Sequence, residues 1–313
     1  MKAVISTQAG VQVAERPHPK PAAHEILVCV KAIGMNRADL AALREPKDQV
    51  MGMEWAGEVV EAGADVNGMK PGDRVMCTGT AAYAEFAVAD AQRCAVLPDG
   101  ISWEHGASLM LGLQTMHDAL VTHGGLNASS TVLMQGGASC MGIIGMQLAR
   151  QLGAGKILGT SRNAEHRARM LEFGCDVAID SSVAHWEAAV LEATDGKGAS
   201  IVVDQIAGEA INNCMAATAI NGRIVNVGRL GGAFAKFDLN LHALRRLHFV
   251  GVTFRTRSRE EIRTLNTAMK RDAMAHLAAI KVPVAAQFDF ARINDALTCQ
   301  ADAQHFGKVV LTV

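Results

Sequence analysis

A run of small residues in the middle of the chain has the composition and spacing to bind a phosphate group. The apolar segment Thr131–Gln135 is followed by a turn and then by a helix-like segment, and the turn consists of Gly136, Gly137, Ala138, Ser139, Cys140, Met141 and Gly142. A strand, a tight turn and a helix in this order leave backbone N–H groups free at the positive end of the helix, where a pyrophosphate binds. Gly137-x-Ser139-x-x-Gly142 is the glycine fingerprint of dinucleotide sites with serine at its second position. The turn therefore predicts a dinucleotide site, with a plain tight turn as the alternative.

The residues that end the next apolar segment bear on which dinucleotide would bind. This segment ends in Thr160, Ser161 and Arg162, with no acidic side chain for a ribose 2′-hydroxyl. The guanidinium of Arg162 suits a 2′-phosphate, to which the two hydroxyls can also donate. His166 and Arg167 follow one turn later, where they could support the same group. The pattern favours NADPH over NADH. The alternative is that Arg162 and Arg167 are ordinary solvated residues at the start of a helix.

These residues need a sheet to position them, and the middle of the chain predicts a parallel one. From about residue 130, short β-branched segments alternate with helix-like segments, as in a doubly wound sheet. Strands are expected at Thr131–Gln135, Lys156–Thr160, Val177–Ile179, Ile201–Val203, Arg223–Val227 and Val250–Phe254. Helices are expected at Gly142–Gly153, Glu165–Phe173, His185–Ala193 and Ala210–Ala217. The predicted fold class is α/β, with a Rossmann unit over residues 119–255.

Both ends of the chain have the pattern of a β-rich domain. Short alternating segments are separated by Gly- and Pro-bearing turns, at Ile26–Ile33, Ala56–Glu61, Asp73–Cys77 and Ala84–Ala89. A helix is expected over Trp103–Thr122. The C-terminal part predicts a helix from Arg259, a strand at Ala285–Phe288, a helix near Ile293–Thr298 and a last strand at Lys308–Val313. The simplest organisation inserts the Rossmann unit into one β-rich domain made of residues 1–118 and 256–313.

Composition narrows the range of partners. Thirty Lys and Arg residues against 31 Asp and Glu residues give a formal net charge of −1, which provides no electrostatic footprint for nucleic acid or an anionic membrane surface. No apolar run approaches the roughly 20 residues that cross a bilayer. Seven scattered cysteines without a C-x-x-C pair argue against a disulfide framework and a cysteine-rich metal site. We expect a cytoplasmic protein that acts on a small molecule, without a nucleic-acid or membrane partner.

Several segments, in their order and spacing, resemble the medium-chain dehydrogenase/reductase superfamily and specifically its zinc-free quinone oxidoreductase branch. Besides the glycine turn, they are Ile33–Leu40 (IGMNRADL), Gly52–Val60 (GMEWAGEVV), Gly72–Val75 (GDRV), Gly222–Val225 (GRIV), Phe254–Ser258 (FRTRS) and Gly307–Leu311 (GKVVL). The resemblance is closest to the tumour-suppressor-induced type of that branch. It implies that the β-rich part is a GroES-like catalytic domain and that the protein is an NADPH-dependent oxidoreductase.

The resemblance also implies roles for single residues. Asn36 matches a family asparagine that lies near the nicotinamide and the substrate, and Thr115 matches a threonine that can contact the carboxamide. Phe254 and Arg255 match a loop that flanks the nicotinamide. The alternatives are a turn-forming Asn36, a Thr115 that is an ordinary helix residue, and an Arg255 that is an exposed charge at the end of a strand.

Two positions bear on metal binding. Zinc-dependent members of the superfamily have a cysteine and a histidine where this chain has Asn36 and Met53. An amide and a thioether are poor zinc ligands compared with a thiolate and an imidazole. We therefore expect no catalytic or structural metal, and a zinc alcohol dehydrogenase is rejected. Without a metal, the expected hydride acceptor is a quinone or an α,β-unsaturated carbonyl, whose own π system spreads the incoming charge.

The chain departs from the family pattern at two places. The segment Ala41–Met51 is short and has no tyrosine, whereas the family has a longer Tyr- and Pro-rich loop that helps form the substrate wall. This leaves a small enone or enal, or a substrate that enters through a more open cleft, as alternatives. It also motivates a second hypothesis: a non-catalytic NADPH-binding redox sensor or assembly subunit. Cys140 stands where the family commonly has glycine; it is either a reactive thiol at a helix N-terminus or a small residue tolerated there.

Leu247–Phe254 could extend a sheet across a two-fold axis, so a homodimer is expected.

Overall fold

The computed structural model describes all 313 residues, which form two compact units. The first unit consists of Met1–Leu111 and Val282–Val313, and the second of Gly112–Lys281. The first unit therefore contains both ends of the chain. The domain limits expected from the sequence, 1–118 with 256–313 and 119–255, stay a prediction. They differ from the two units chiefly in grouping the helix that begins at Arg259 with the chain ends.

The chain has sixteen strands and ten α-helices. The strands are β1 (Lys2–Thr7), β2 (Gly10–Glu15), β3 (Glu25–Gly34), β4 (Gln49–Val50), β5 (Glu54–Ala62), β6 (Arg74–Thr78), β7 (Phe86–Asp90), β8 (Cys94–Val96), β9 (Thr131–Gln135), β10 (Lys156–Ser161), β11 (Val177–Asp180), β12 (Ala199–Asp204), β13 (Thr218–Asn226), β14 (His248–Gly251), β15 (Val284–Asp289) and β16 (Lys308–Thr312). The helices are α1 (Ala41–Arg44), α2 (Trp103–Gly106), α3 (Met110–His117), α4 (Cys140–Gln151), α5 (Ala164–Met170), α6 (Glu187–Ala193), α7 (Ile211–Ala217), α8 (Leu239–Arg245), α9 (Arg259–Ala273) and α10 (Ile293–Asp302). None of these helices has both the length and the apolar character that a membrane span requires.

The second unit is built on a six-stranded parallel sheet. Its strand order is β11-β10-β9-β12-β13-β14, which is the doubly wound Rossmann order. Val132, Leu133 and Met134 of the central strand β9 are fully buried, because helices cover both faces of such a sheet and the strand sequence becomes a continuous apolar run. The strand order reverses between β9 and β12. In open parallel sheets, ligands bind outside the carboxyl ends of the strands at this reversal.

The first unit is mainly antiparallel. A seven-stranded sheet has the order β15-β16-β3-β5-β6-β8, with β7 also paired to β3, and a three-stranded sheet has the order β2-β1-β4. The two sheets share a buried core that includes Trp55 and Tyr83. Strand β16 runs antiparallel to β3, with Val310 opposite Gly34. This register brings Lys308, at the start of β16, beyond the end of β3 and toward Asn36.

The predicted α/β fold class is confirmed, and most predicted elements occur with small shifts at their ends. The predicted helix Trp103–Thr122 is wrong as one element: α2 ends at Gly106, α3 covers Met110–His117, and a π-helical turn follows over Asp118–His123. The break has a local cause, because the N–H groups of Ser108 and Leu109 bond to carbonyls three residues back and so close α2 in a tight turn.

The predicted strand Val250–Phe254 is also misplaced, since β14 covers His248–Gly251. Gly251 pairs with Asn226, the last residue of β13. No neighbouring strand continues beyond that pair, so the segment that contains Phe254 and Arg255 is a loop. Helix α8 was not predicted at all.

Candidate functional site

The glycine turn joins β9 to α4 at the carboxyl edge of the parallel sheet. Gly136 has a φ of +79°, a left-handed conformation that glycine adopts without strain. Ser139 is the N-cap of α4, and its hydroxyl accepts a hydrogen bond from the N–H of Gly142 at 3.0 Å. A side-chain oxygen at this position satisfies one of the unpaired donors of the first helical turn. The serine in the fingerprint therefore starts the helix.

Two glycines of the turn are required by close packing. A Cβ at Gly142 would lie 2.6 Å from the Cα of Gly137, and a Cβ at Gly137 would lie 2.9 Å from the sulfur of Met170. Both distances are shorter than a non-bonded contact between such atoms. A larger residue at position 142 would push α4 away from the backbone at the end of β9, whereas one at position 137 would have to displace the Met170 side chain.

The turn leaves backbone donors unpaired. The N–H of Gly137 donates to the carbonyl of Thr160 at 3.0 Å, and that of Ser139 to the carbonyl of Gly136 at 3.2 Å. In contrast, the N–H groups of Ala138 and Met141 donate to no atom of the protein. Unpaired donors at the N-terminus of a helix are the groups that bind an anion. The turn thus fits the pyrophosphate of a dinucleotide.

Gln205, directly after β12, fixes the turn from the neighbouring strand. Its Nε2 donates to the carbonyls of Gln135 and Gly136, both at 3.3 Å, and its Oε1 accepts from the Ser139 hydroxyl at 2.8 Å. Gln205 therefore connects the end of β12 to the turn after β9, and the strand order reverses between these two strands. Sequence reasoning missed Gln205, because a polar residue after a predicted strand is too common a signal to single it out.

Asp204 precedes Gln205 and is fully buried. Its carboxylate accepts hydrogen bonds from the N–H groups of Ile206 and Ala207, both at 2.9 Å, and from the Asn226 amide at 3.2 Å. Burial raises the pKa of this carboxyl, although the three donors oppose that effect. Asp204 therefore holds the turn after β12 in place and so supports the position of Gln205.

The predicted 2′-phosphate residues differ in how far they are available. Arg162 is exposed and makes no hydrogen bond or ion pair with the protein. Arg167 instead pairs with Asp180 at 2.8 Å and donates to the carbonyl of Ser161 at 3.0 Å. Thr160 is buried; its hydroxyl accepts from the N–H of Gly136 and donates to the Gln135 side chain. The Thr160 hydroxyl therefore shapes the glycine turn, and its proton is not available to a phosphate.

Ser161 and His166 lie at the start of α5. The Ser161 hydroxyl accepts from the N–H of Asn163 at 3.2 Å, and Asn163 caps the helix by accepting from the N–H of His166 at 3.1 Å. Both predicted residues are half-buried. Their role as cofactor contacts stays a prediction.

The loop after β14 is anchored by an ion pair between a partly exposed arginine and a buried aspartate. Arg257 donates to the carboxylate of Asp118 at 2.7 Å, and Asp118 is fully buried in the π-helical turn. The same guanidinium lies 5.6 Å from the centroid of the Phe254 ring, within the range of a cation–π contact. The loop that contains Phe254 and Arg255 is therefore tied to the turn that follows α3. Asp118 and Arg257 were not singled out from the sequence.

Two further predicted residues lie in helices of the second unit. Thr115 is buried in α3, and its hydroxyl makes no hydrogen bond with the protein. Cys140 is the first residue of α4, is half-buried and forms no disulfide. Their assignments to the nicotinamide and to the cofactor turn stay predictions.

Asn36 lies in the first unit, just beyond β3, and is almost fully buried. Its Nδ2 donates to the carbonyl of Gly34 at 3.0 Å and to the carboxylate of Glu54 at 3.1 Å. Its Oδ1 accepts from the ammonium of Lys308 at 2.9 Å. The amide nitrogen and the amide oxygen of Asn36 are thus both hydrogen-bonded, to Glu54 and to Lys308, which lie far from Asn36 in the sequence.

Glu54 and Lys308 form an ion pair that is buried from solvent. The Lys308 nitrogen lies 2.6 Å from Oε2 of Glu54, and the side chains are 2% and 0% exposed. The other oxygen, Oε1, accepts from the N–H of Leu111 in the first turn of α3 at 2.8 Å. A buried pair persists only when its remaining bonding capacity is also satisfied, and Asn36 and Leu111 contribute to that here. These contacts let Glu54 brace the residues around Asn36, and Lys308 was missed by sequence reasoning.

Asp39 and Tyr83 extend this cluster. The Asp39 carboxylate accepts from the N–H of Asn36 at 2.8 Å and from the Tyr83 hydroxyl at 2.9 Å. Burial raises the pKa of Asp39 to about 6 and raises that of Tyr83 well above its usual value. Tyr83, the only tyrosine of the chain, is fully buried in the core of the first unit. It therefore does not replace the tyrosine of the family's substrate loop.

Side chains suited to metal binding do not converge. No group of three or more His, Cys, Asp or Glu residues is placed to hold an ion. Asn36 makes the contacts described above, and Met53 carries a thioether. These groups suit hydrogen bonding and packing better than zinc ligation.

Comparisons with known proteins agree with this architecture. Residues 140–271 match the zinc-binding dehydrogenase family, and residues 22–99 match the GroES-like domain of alcohol dehydrogenases. The quinone oxidoreductase-like protein 2 homolog of Nematostella vectensis is 27% identical over 297 residues, which are 92% of this chain and 81% of that protein. Erythronolide synthase EryA2 of Saccharopolyspora erythraea is 31% identical over 301 residues, which are 93% of this chain and only 8% of that protein. The solved structure of mycobacterial Rv1454c complexed with NADPH has a TM-score of 0.87 and 26% identity, with 100% of both chains covered.

The Rossmann sheet, the GroES-like unit and these matches together define an oxidoreductase of the medium-chain dehydrogenase/reductase superfamily. Within that superfamily the chain belongs to the quinone oxidoreductase branch. The resemblance inferred from the sequence motifs is thereby confirmed.

Proposed function

We propose that this protein is a metal-free, NADPH-dependent oxidoreductase that transfers a hydride to a quinone or an α,β-unsaturated carbonyl compound. One observation carries the cofactor assignment: the same unit combines a glycine turn with unpaired N–H groups and an Arg162 without a protein partner. The first suits a pyrophosphate and the second a 2′-phosphate. The relative solved with NADPH supports the same cofactor.

Each group of residues has a proposed task. The N–H groups of Ala138 and Met141 bind the pyrophosphate, and Arg162 binds the 2′-phosphate with Ser161 and His166 beside it. At the nicotinamide end, the proposed contacts are those implied by the family motifs: Asn36, Thr115, Phe254 and Arg255. The hydrogen bonds of Gln205 keep the turn in position for the first task.

The chemistry then depends on orientation and charge. When bound, NADPH supplies a hydride. The protein has to align the acceptor with the cofactor and exclude water. Because Asn36 and Met53 are poor ligands for a Lewis-acid metal, we propose an acceptor that spreads the developing charge over its own conjugated system. Such an acceptor needs only hydrogen bonds for stabilisation.

The acceptor could be small. The segment Ala41–Met51 has no aromatic residue and forms only the short helix α1 and the two-residue strand β4. Tyr83 is committed to Asp39 in the core. An aromatic stacking partner for a large quinone is therefore not supplied by this segment, which favours a small enone or enal within the proposed substrate class.

The same observation supports a second candidate function. A chain that binds NADPH without building a substrate wall could act as a redox sensor or as a subunit of an assembly. Binding of NADPH without turnover of any acceptor would favour this function over the first.

We further propose a homodimer that forms through the edge of the parallel sheet. Strand β14 is the last strand of that sheet, and Phe249 on it is 45% exposed. Leu239 and Leu244 of α8 are also exposed. An unpaired edge with apolar side chains is suited to pairing with a second copy. None of the seven cysteines forms a disulfide, consistent with a proposed cytoplasmic location.

The proposal is tested by NADPH oxidation with a panel of quinones, enones and enals. We expect turnover with at least one conjugated acceptor, and NADPH to be used in preference to NADH. Tight NADPH binding without turnover would favour the second candidate, and failure to bind NADPH would refute the cofactor assignment.

A further inference from the structure

The structure assigns Glu54 and Lys308 as positioning residues that hold the Asn36 amide so that it can accept a hydrogen bond from a bound molecule but cannot donate one. The inference rests on the proposed function, because it concerns the residue expected at the nicotinamide and the substrate. It goes beyond that function by stating which polar group of Asn36 is usable.

The donors of Asn36 are fully used inside the protein. A primary amide has two N–H hydrogens. One acceptor for them is the carbonyl of Gly34 at 3.0 Å, and the other is Oε2 of Glu54 at 3.1 Å. No N–H of the side chain is left for a ligand. The amide oxygen has two lone pairs, of which Lys308 uses one at 2.9 Å.

The partners also determine which way the amide faces. An ammonium can only donate and a carbonyl can only accept. With the amide turned by 180°, its nitrogen would face Lys308 and its oxygen would face the carbonyl of Gly34. Both contacts would then be repulsive in a buried place, where an unsatisfied polar group is costly. The oxygen must therefore be on the side of Lys308.

Glu54 and Lys308 are themselves held rigidly. The ion pair is buried, and Glu54 also accepts from the N–H of Leu111 at the start of α3. The space around Lys308 is tight, since a Cβ on Gly34 would lie 2.8 Å from its Cε and 1.9 Å from the carbonyl oxygen of Ala107. The pair thus has little freedom to release the amide.

A chemical consequence follows for the bound molecules. The partner of Asn36 has to carry a hydrogen-bond donor, such as the N–H of a carboxamide or a hydroxyl group. A carbonyl oxygen that gains negative charge during reduction accepts hydrogen bonds, so Asn36 cannot stabilise it. Any donor to that oxygen must come from another residue or from water.

The orientation is tested first by NMR on the wild-type chain with 15N-labelled asparagine, with Asn36→Ala used to assign the side-chain signal. We expect both Asn36 amide protons to be protected from exchange in the unliganded protein, and to stay protected when saturating NADPH is added. An Asn36 amide proton that exchanges rapidly with solvent, in the unliganded or in the NADPH-bound protein, would overturn the inference. The measurement on the unliganded protein does not need NADPH to bind, so its outcome is separate from that of the proposed function.

The positioning role is tested by kinetics on the double variant Glu54→Gln/Lys308→Met. Removing Lys308 alone would leave Glu54 buried and unpaired, whereas the double variant stays neutral. We expect single-turnover hydride transfer to fall about ten- to a hundredfold, as small misplacements of reacting groups do, while the Kd for NADPH changes less than about threefold. Val309→Ala, a buried neighbour on β16 with no side-chain bond to Asn36, is the control for general loss of packing. Equal rates in the double variant and in Val309→Ala would overturn the assignment.

Discussion

At the residue scale, Arg162 is the side chain on which the choice of cofactor depends. It is exposed and unpaired, while the nearby Arg167 is already bound to Asp180 and Ser161. A hydrogen bond to a charged group contributes about 1.5–3 kcal/mol. We predict that Arg162→Ala raises the Kd for NADPH by about ten- to a hundredfold and leaves the Kd for NADH almost unchanged. Fluorescence titration measures both constants.

Arg169→Ala is a suitable control for this variant, because it removes the same charge from the last turn of α5. It should leave both constants close to the wild-type values. An equal loss of NADPH affinity in Arg162→Ala and Arg169→Ala would contradict the specific contact.

Asp39 gives a prediction for pH. Burial raises its pKa from 3.8 to about 6 in the folded protein, so the folded state keeps a proton that the unfolded chain has already lost. The free energy of unfolding therefore falls as the pH rises from about 4 to about 6, and it stays lower above that range. In Asp39→Asn this loss of stability does not occur, because the amide does not titrate. The free energy of unfolding of the variant relative to wild type should rise by up to about 3 kcal/mol between pH 4 and pH 7, at about 1.4 kcal/mol per pKa unit.

Urea unfolding at a series of pH values measures this difference. Asp99→Asn serves as the control, since Asp99 is fully exposed, and its difference from wild type should stay flat. A flat difference for Asp39→Asn as well would show that the Asp39 carboxyl titrates as it does in the unfolded chain.

Local signals and distant contacts differ in how well the sequence reveals them. The glycine turn and Arg162 could be predicted because the relevant residues lie close together in the chain and follow a strand. Lys308 could not, because it meets Asn36 across 272 positions of sequence. The contact depends on the register of β16 against β3, which no local pattern specifies. Thr160 was assigned to the phosphate because its chemistry suits one, but its hydroxyl is used inside the turn.

At the scale of elements, the π-helical turn after α3 and the loop after β14 act together. The ion pair of Asp118 and Arg257 joins them. Sequence reasoning predicted one continuous helix over Trp103–Thr122, because its apolar spacing is helical throughout. It could not detect the break at residues 107–109, nor that Glu54 from another element would accept the N–H of Leu111.

We predict that Asp118→Asn loosens the loop that contains Phe254 and Arg255. Removing one charge of a buried pair costs about 3–5 kcal/mol when the other charge stays unpaired. The destabilisation should be smaller here, because the Asn amide oxygen can still accept from Arg257 and because Arg257 is partly exposed. Hydrogen exchange of residues 253–258 should become faster, and the kcat for any accepted substrate should fall.

The matched control is Asp272→Asn, which removes the negative charge 2.8 Å from the buried His117 in the same unit. It should leave hydrogen exchange in residues 253–258 unchanged. Unaltered exchange in Asp118→Asn would mean that the ion pair does not anchor the loop.

At the scale of the whole molecule, the order of the parallel sheet could be inferred from the alternation of strands and helices, because right-handed connections leave few other arrangements. The first unit was harder to predict. Its sheet combines β3 and β5 near the start of the chain with β15 and β16 at the end. The chain ends were grouped because both have the pattern of a β-rich domain, and the family resemblance then implied that this domain is GroES-like.

The exposed edge of the parallel sheet predicts the oligomeric state. Phe249→Asp places a charge on β14 and should convert a homodimer into a monomer, as measured by sedimentation velocity. Val183→Asp is the control, because Val183 is similarly exposed at 53% in the same unit but is not on the edge strand. A dimer that persists in Phe249→Asp would place the interface elsewhere, and a monomeric wild-type protein would refute the proposed dimer.

The central claim is hydride transfer from NADPH to a conjugated acceptor without a metal. Its most direct test is the rate at which the chelator-treated protein oxidises NADPH and NADPH deuterated at the transferred position, with an enone as acceptor. We expect a slower reaction with the deuterated cofactor, deuterium at the β-carbon of the product, and no effect of chelation or added zinc. Bound NADPH that no acceptor oxidises, or activity that returns only with zinc, would contradict it.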